Sequence, residues 1–151
     1  MTLRAVQFMV CVALAAHGVS CAANPVAGPT GHTLVQVSFT GLSPETVQIP
    51  SDGNITWVNG SADSSAIVVL PASMGASFTC AELGPVFRQT AEGYESLPIL
   101  SQWSPQTERV ELPCALRPGR YDYSVRIQNS GLAQTEAAGP GRTLSGVIVV
   151  E

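Results

Sequence analysis

Few side chains in this sequence can do chemistry. Beyond Cys21 the chain keeps one histidine, His32, one methionine, Met74, and two cysteines, Cys80 and Cys114. Acid–base or nucleophilic catalysis needs a histidine, or a carboxylate pair, within reach of a nucleophile. No histidine accompanies any candidate nucleophile here. The nearest carboxylates, Glu92 and Glu95 in Thr90-Ala-Glu-Gly-Tyr-Glu-Ser-Leu97, read as a solvated loop. With no lysine anywhere, Schiff-base chemistry is closed as well. No catalytic residue and no cofactor is assigned, and an enzyme is not expected. His32 could hold a metal ion together with a free terminal amine or Met74, but a lone histidine beside a flexible segment reads as solvated, so no metal is assigned.

Cys80 and Cys114 have a different use. Cys11 and Cys21 lie in an N-terminal stretch that has the form of an export signal: Arg4, an apolar run from Ala5 to Ala16, and small residues through Ala23. The run is about twelve residues long, against the roughly twenty a membrane span requires. Val19-Ser20-Cys21 resembles a bacterial lipobox, which makes Cys21 the expected lipidation site. Gly18 stands where such boxes usually carry Leu, and cleavage after Ala22 is the rival. On this reading residues 1–22 are the signal, 22–32 a Pro- and Gly-bearing tether, and 33–151 the domain. Export leaves Cys80 and Cys114 as an even pair in an oxidising compartment, and a disulfide between them is expected. It would stabilise the domain by roughly 3 to 4 kcal/mol in the chain-entropy account.

Composition narrows the partners. Hydrophobic residues make up 45% and charged residues 12% of 151 residues, which suits one compact domain. Seven arginines are scattered singly against eleven carboxylates, for a net charge of −4. No basic stripe exists to follow a phosphate backbone, and nucleic acid is excluded as a partner.

The elements that must carry these residues are strands. Val35, Val37 and Phe39 alternate with polar neighbours across Thr33 to Thr40, and the period of two predicts a half-buried strand. Turn chemistry at Ser43-Pro44 and Ser51-Asp52-Gly53-Asn54 brackets strands at residues 46–49 and 54–58. Further strands are expected at 66–70, 77–80, 108–112, 121–126 and 145–150. About eight short strands with no helical period predict an all-β sandwich or barrel.

Between Ala81 and Gln106 the pattern breaks into a long insertion without regular structure. Such loops are uncommon in compact domains and are often functional. Its apolar residues read first as a cover over an open end or edge of the sandwich. The sharper expectation is a partner-binding surface of Arg88, Tyr94 and Trp103, because Arg, Tyr and Trp dominate interface hot spots. The sequons at Asn54 and Asn59 read as incidental.

The pattern Ser43-Pro44-x-x-Val47-x-Ile49-x-x-x-Gly53-x-Ile55-x-Trp57-x-Asn59 resembles the first half of a cupredoxin domain. Pro118-Gly119-x-Tyr121-x-Tyr123, followed by Gly146-Val147-Ile148-Val149, is similar to the end of small bacterial cupredoxins. The resemblance covers roughly residues 34 to 151 with the insertion between, and implies a Greek-key β-sandwich of about seven or eight strands, with Asn59, after the Trp strand, a structural side chain that ties loops together. It also implies a type 1 copper site made of two histidines, a cysteine and often a methionine. This chain departs at each position. Ser65 and Ala66 stand where the first histidine is called for, Val125 stands where the cysteine is, and the loop 128–143 contains no His, Cys or Met. A trigonal copper site needs two imidazoles and a thiolate, so the chemistry is missing whatever the fold.

A fibronectin III or immunoglobulin-like sandwich is the alternative fold, with an adhesion or interaction role, since residues 116–125 also resemble the approach to the penultimate strands of those domains. The immunoglobulin form fits poorly, because Trp57 precedes both cysteines. The expected function is a non-catalytic binding or structural module of the bacterial cell envelope, lipid-anchored, periplasmic or secreted. Its partner, a protein or small molecule, is unidentified, and it meets the membrane only through the lipid. A copper-binding or electron-transfer protein is the contrasting reading.

Overall fold

The computed structural model describes residues 31–61, 64–100, 109–129 and 141–151. Ten strands among them form two sheets. In chain order they are β1 (His32–Val37), β2 (Leu42–Ser43), β3 (Thr46–Ile49), β4 (Asn54–Asn59), β5 (Ser64–Pro71), β6 (Phe87–Gln89), β7 (Gly93–Ser96), β8 (Arg109–Glu111), β9 (Gly119–Asn129) and β10 (Arg142–Val150). One sheet runs β2-β1-β4-β8 and the other β3-β10-β9-β5-β7-β6. Both are mixed: β1 lies parallel to β4 and β3 parallel to β10, while the remaining pairs are antiparallel.

Alternation explains the layering. Successive strand residues point to opposite faces, so every second one meets the facing sheet. Val35, Val37, Ile55, Trp57 and Val110 supply the core from the smaller sheet. Val47, Ile49, Val68, Leu70, Val125, Ile127 and Ile148 answer from the larger one. Burying a side chain such as Ile55 or Val125 contributes about 1.5 to 3 kcal/mol.

The shared direction of β1 and β4 defines two poles. Both run from a pole containing His32 and Asn54 to one containing Val37 and Asn59, in continuous register. β5 and β10 start at that second pole, and β9 ends there.

Three expectations from the sequence change. β1 ends at Val37, and Phe39 lies exposed in the following turn, where Ser38 and Gly41 exchange main-chain hydrogen bonds. No strand spans residues 77–80: a 3₁₀ helix occupies Ala72–Ser77, and only Phe78 makes an isolated bridge, to Leu116. The insertion is not irregular throughout. Its residues 87–96 form the β6–β7 hairpin, which extends the larger sheet beyond β5 and raises the number of strands. Gly93 permits the turn into β7, since its φ is +145° and a Cβ there would collide with the carbonyl of Leu70.

Cys80 and Cys114 are bonded, with their Cα atoms 5.9 Å apart. The bond joins the segment after the 3₁₀ helix to the β8–β9 connection. Main-chain hydrogen bonds from Thr79 to Ala115 and from Arg117 to Ser77 run alongside it.

Candidate functional site

The pole where β4 and β9 end and β5 begins is where the cupredoxin resemblance calls for metal ligands. Ala66 and Val125 are both 0% exposed, inside the continuous apolar core. Ala66 is also fixed through its backbone: its N–H donates to the carbonyl of Ile99 at 2.9 Å, and the N–H of Ile99 donates back at 2.8 Å. Ile99 of the insertion therefore lies alongside β5 as an isolated antiparallel bridge.

Asn59 ties the same segments together. It is fully buried, its Nδ2 donates to the carbonyls of Ser64 (2.8 Å) and Ile99 (3.1 Å), and its Oδ1 accepts from the N–H of Ser61 (3.0 Å). These bonds tie β4, β5 and the insertion together, the structural role that the resemblance implies. A glycan could not be attached there without breaking them. His32 stands at the opposite pole, about 17 Å away at ~3.3 Å per strand residue along β1. The residues present do not fit a type 1 copper, since the positions in question carry a hydroxyl and two aliphatic groups and the histidine is a strand length distant. Among the described residues no group of three His, Cys, Asp or Glu is placed to hold a metal ion.

Arg88 and Tyr94 stand on one hairpin but on opposite faces. Arg88 pairs with Glu95 and Gln89 with Tyr94, so Tyr94 turns toward the core side, where its ring packs edge-on against Phe78 at 5.3 Å between centroids. Arg88 turns outward. The two do not form one patch, and Trp103 lies outside the described residues, as does Cys21.

Glu95 corrects the solvated-loop reading of its segment. It is 6% exposed, on the outer face of β7, where Arg88 reaches one carboxylate oxygen at 2.7 Å and Arg126 of β9 reaches the other. The Arg88 hydrogen bond is the largest influence and holds the carboxyl below its usual range. Burial opposes that shift and Arg126 reinforces it. A buried charge needs such pairing. Glu92, three residues earlier in the turn, is exposed, as expected.

Beside this cluster the outer face of the larger sheet is concave. The depression is about 730 Å³. It arises because the outward side chains of adjacent strands are short: Thr46 on β3, Ser145 and Val147 on β10, Ser124 on β9, Val69 and Pro71 on β5. Registers Val147↔Asp122 and Val69↔Ser124 place them in two neighbouring rows. Glu45, Glu92 and Asp122 rim the depression, and all three are exposed. A few polar groups around an aliphatic floor is the usual constitution of a ligand site. Sequence reasoning missed it, because a concavity across four strands leaves no local pattern.

Tyr123 and Gly146 lie beneath that floor. Tyr123 is 3% exposed, its ring meets Trp57 edge-on at 5.6 Å, and neither Tyr123 Oη nor Trp57 Nε1 meets a hydrogen-bond partner. Burial pushes the Tyr123 hydroxyl up to about 12, with the facing indole opposing the shift and the Glu45 charge adding to it.

No family model matches the chain, and no curated protein matches it. Among solved structures it is similar to a reduced Cu(I) form of an amicyanin mutant at pH 4, with 14% identity and a TM-score of 0.45 over 82% of this chain and 86% of that one. It is also similar to a purple cupredoxin from Nitrosopumilus maritimus, with 14% identity and a TM-score of 0.42 over 78% of this chain and 98% of that one.

Proposed function

We propose that this chain is a non-catalytic binding module, exported to the bacterial cell envelope, on a cupredoxin-like sandwich. One observation carries the reading. At the positions where that fold would carry ligands, Ala66 and Val125 are buried aliphatic core residues, while the outer face of the larger sheet holds an open depression of about 730 Å³.

Supporting points come from the donor set and from the disulfide. Two imidazoles and a thiolate are needed for type 1 copper, and His32 is the single imidazole beyond the proposed signal. The described carboxylates are either exposed or, at Glu95, paired with arginines. A disulfide fits an extracytoplasmic compartment. Lipidation at Cys21 belongs to the same proposal, and a diacylglyceryl mass on the mature N-terminus would identify it.

Amide chemical-shift mapping against fractionated envelope metabolites and peptides tests the role. A ligand that shifts the amides of Val69, Ser124 and Ser145 and is recovered unchanged is the expected result. Recovery of a chemically altered compound would mean an enzyme.

A further inference from the structure

We infer that the depression on the outer face of the larger sheet receives a cationic peptide segment, a Lys- or Arg-bearing stretch of a protein partner, held by Glu45, Glu92 and Asp122. This rests on the binding-module reading above and names the partner class for that site.

The argument begins with what the fold does with its charges. Where a carboxylate is buried on this face, at Glu95, two arginines converge on it. Glu45, Glu92 and Asp122 line the adjacent depression, and no arginine lines it with them. None of the three forms an ion pair among the described residues. Arg120 lies two residues from Asp122 on the same face, yet it flanks the depression without lining it. The site is therefore a concave surface of one sign, and its complement is positive.

The spacing of the carboxylates selects among cations. Glu45 precedes β3, Glu92 sits in the β6–β7 turn, and Asp122 is on β9. They come from three separate elements and, among the described residues, make no metal-binding group. Charges distributed along a chain match that spread better than a single ion does. The floor suits the same occupant. Val69, Val147 and Pro71 offer aliphatic surface to the methylene stems of Lys or Arg while the charged heads reach the rim. Hydroxyls of Thr46, Ser124 and Ser145 can bond main-chain groups of an extended segment. A second copy of this chain is a poor occupant, since it carries a net charge of −4 and no lysine.

The test uses the full domain and two fluorescein-labelled octapeptides, one alternating lysine with serine and one alternating glutamate with serine. Fluorescence anisotropy reads affinity, and amide shifts read location. The lysine peptide should bind saturably, weaken in high salt, and shift the amides of Val69, Ser124 and Ser145, while the glutamate peptide does not bind. The double variant D122N/E92Q should bind about fivefold more weakly or worse. The charge-matched control D52N/E82Q, altered outside the depression, should bind as the unaltered chain does. Equal weakening by both variants would reduce the effect to net charge and overturn the proposal, as would shifts confined elsewhere. Binding of spermine without the lysine peptide would overturn the peptide occupant. If the lysine peptide fails while another ligand shifts the same amides, this inference falls and the binding-module reading stands. One firmly held copper per chain would remove that reading itself.

Discussion

Gly146 lies directly under the Tyr123 ring: a Cβ on Gly146 would stand 2.5 Å from Tyr123 Cζ and 2.6 Å from its Oη. The two residues are register partners on β10 and β9. Glycine in a central strand is costly to order, and here the space is needed for an aromatic ring. Gly146→Ala should destabilise the domain by about 1 to 3 kcal/mol through overpacking, read from urea denaturation midpoints at an unchanged slope. A neutral effect would mean that the ring moves aside freely.

Tyr123 also fixes an alkaline limit. Its hydroxyl is raised to about 12 in the fold, whereas an unfolded tyrosine titrates near 10. Between those values the folded state keeps a proton that the unfolded state has lost. Its contribution is therefore complete below pH ~10 and lost as pH rises through about 12. Tyr123→Phe should flatten stability against pH in that window. At neutral pH it should cost little or stabilise by up to about 1 kcal/mol, because an unpartnered buried hydroxyl is removed. An unchanged alkaline slope in the variant would contradict the assignment.

Glu95 sets the acid limit by the opposite sign. Its carboxyl is held down, first by Arg88, so its stabilisation is present above the unfolded value of 4.5 and disappears as pH falls through the folded one. Glu95→Ala leaves Arg126 without its partner and should cost about 1 to 3 kcal/mol, less than a fully buried pair, because Arg88 and Arg126 are themselves 72% and 37% exposed. Arg88→Ala, at the more exposed end, should cost no more than about 1 kcal/mol. Thermal melts at pH 7 and pH 3 check the ordering, and a variant equal to the unaltered chain at pH 7 would contradict it.

The disulfide closes a separation of 34 residues. Cys80→Ser/Cys114→Ser should lose roughly 3 to 4 kcal/mol. The loss should be global, because the bond joins the start of the insertion to the approach of β9, the strand between β5 and β10. Denaturation of the reduced and oxidised chains, with thiol counting under unreduced conditions, decides it. Two reactive thiols would contradict the bond.

Much of this was legible in the sequence where the signal is local. Ile55 and Trp57 alternate on one strand, and both are buried as their period requires. The disulfide followed from cysteine parity, and the tying role of Asn59 from the cupredoxin resemblance of the strand that it ends. What failed to show was cooperative. Phe39 continues the alternation of β1, but the Ser38–Gly41 turn takes it out of the sheet. Phe87-Arg-Gln89 and Gly93-Tyr-Glu-Ser96 are too short to show a strand period, and their glycine-bearing surroundings read as loop until paired against β5. Glu95 could not be matched to Arg126, 31 residues away, without the sheet. The depression is made of short side chains on four strands, and shortness has no periodicity.

The claim that this fold binds without a metal is tested most directly by copper content. The full domain is incubated with Cu(II), dialysed, and measured by elemental analysis together with its visible spectrum. The account predicts substoichiometric copper and no thiolate-to-copper band, because Ser65, Ala66 and Val125 supply neither imidazole nor thiolate. One copper retained per chain, with that band, would contradict it.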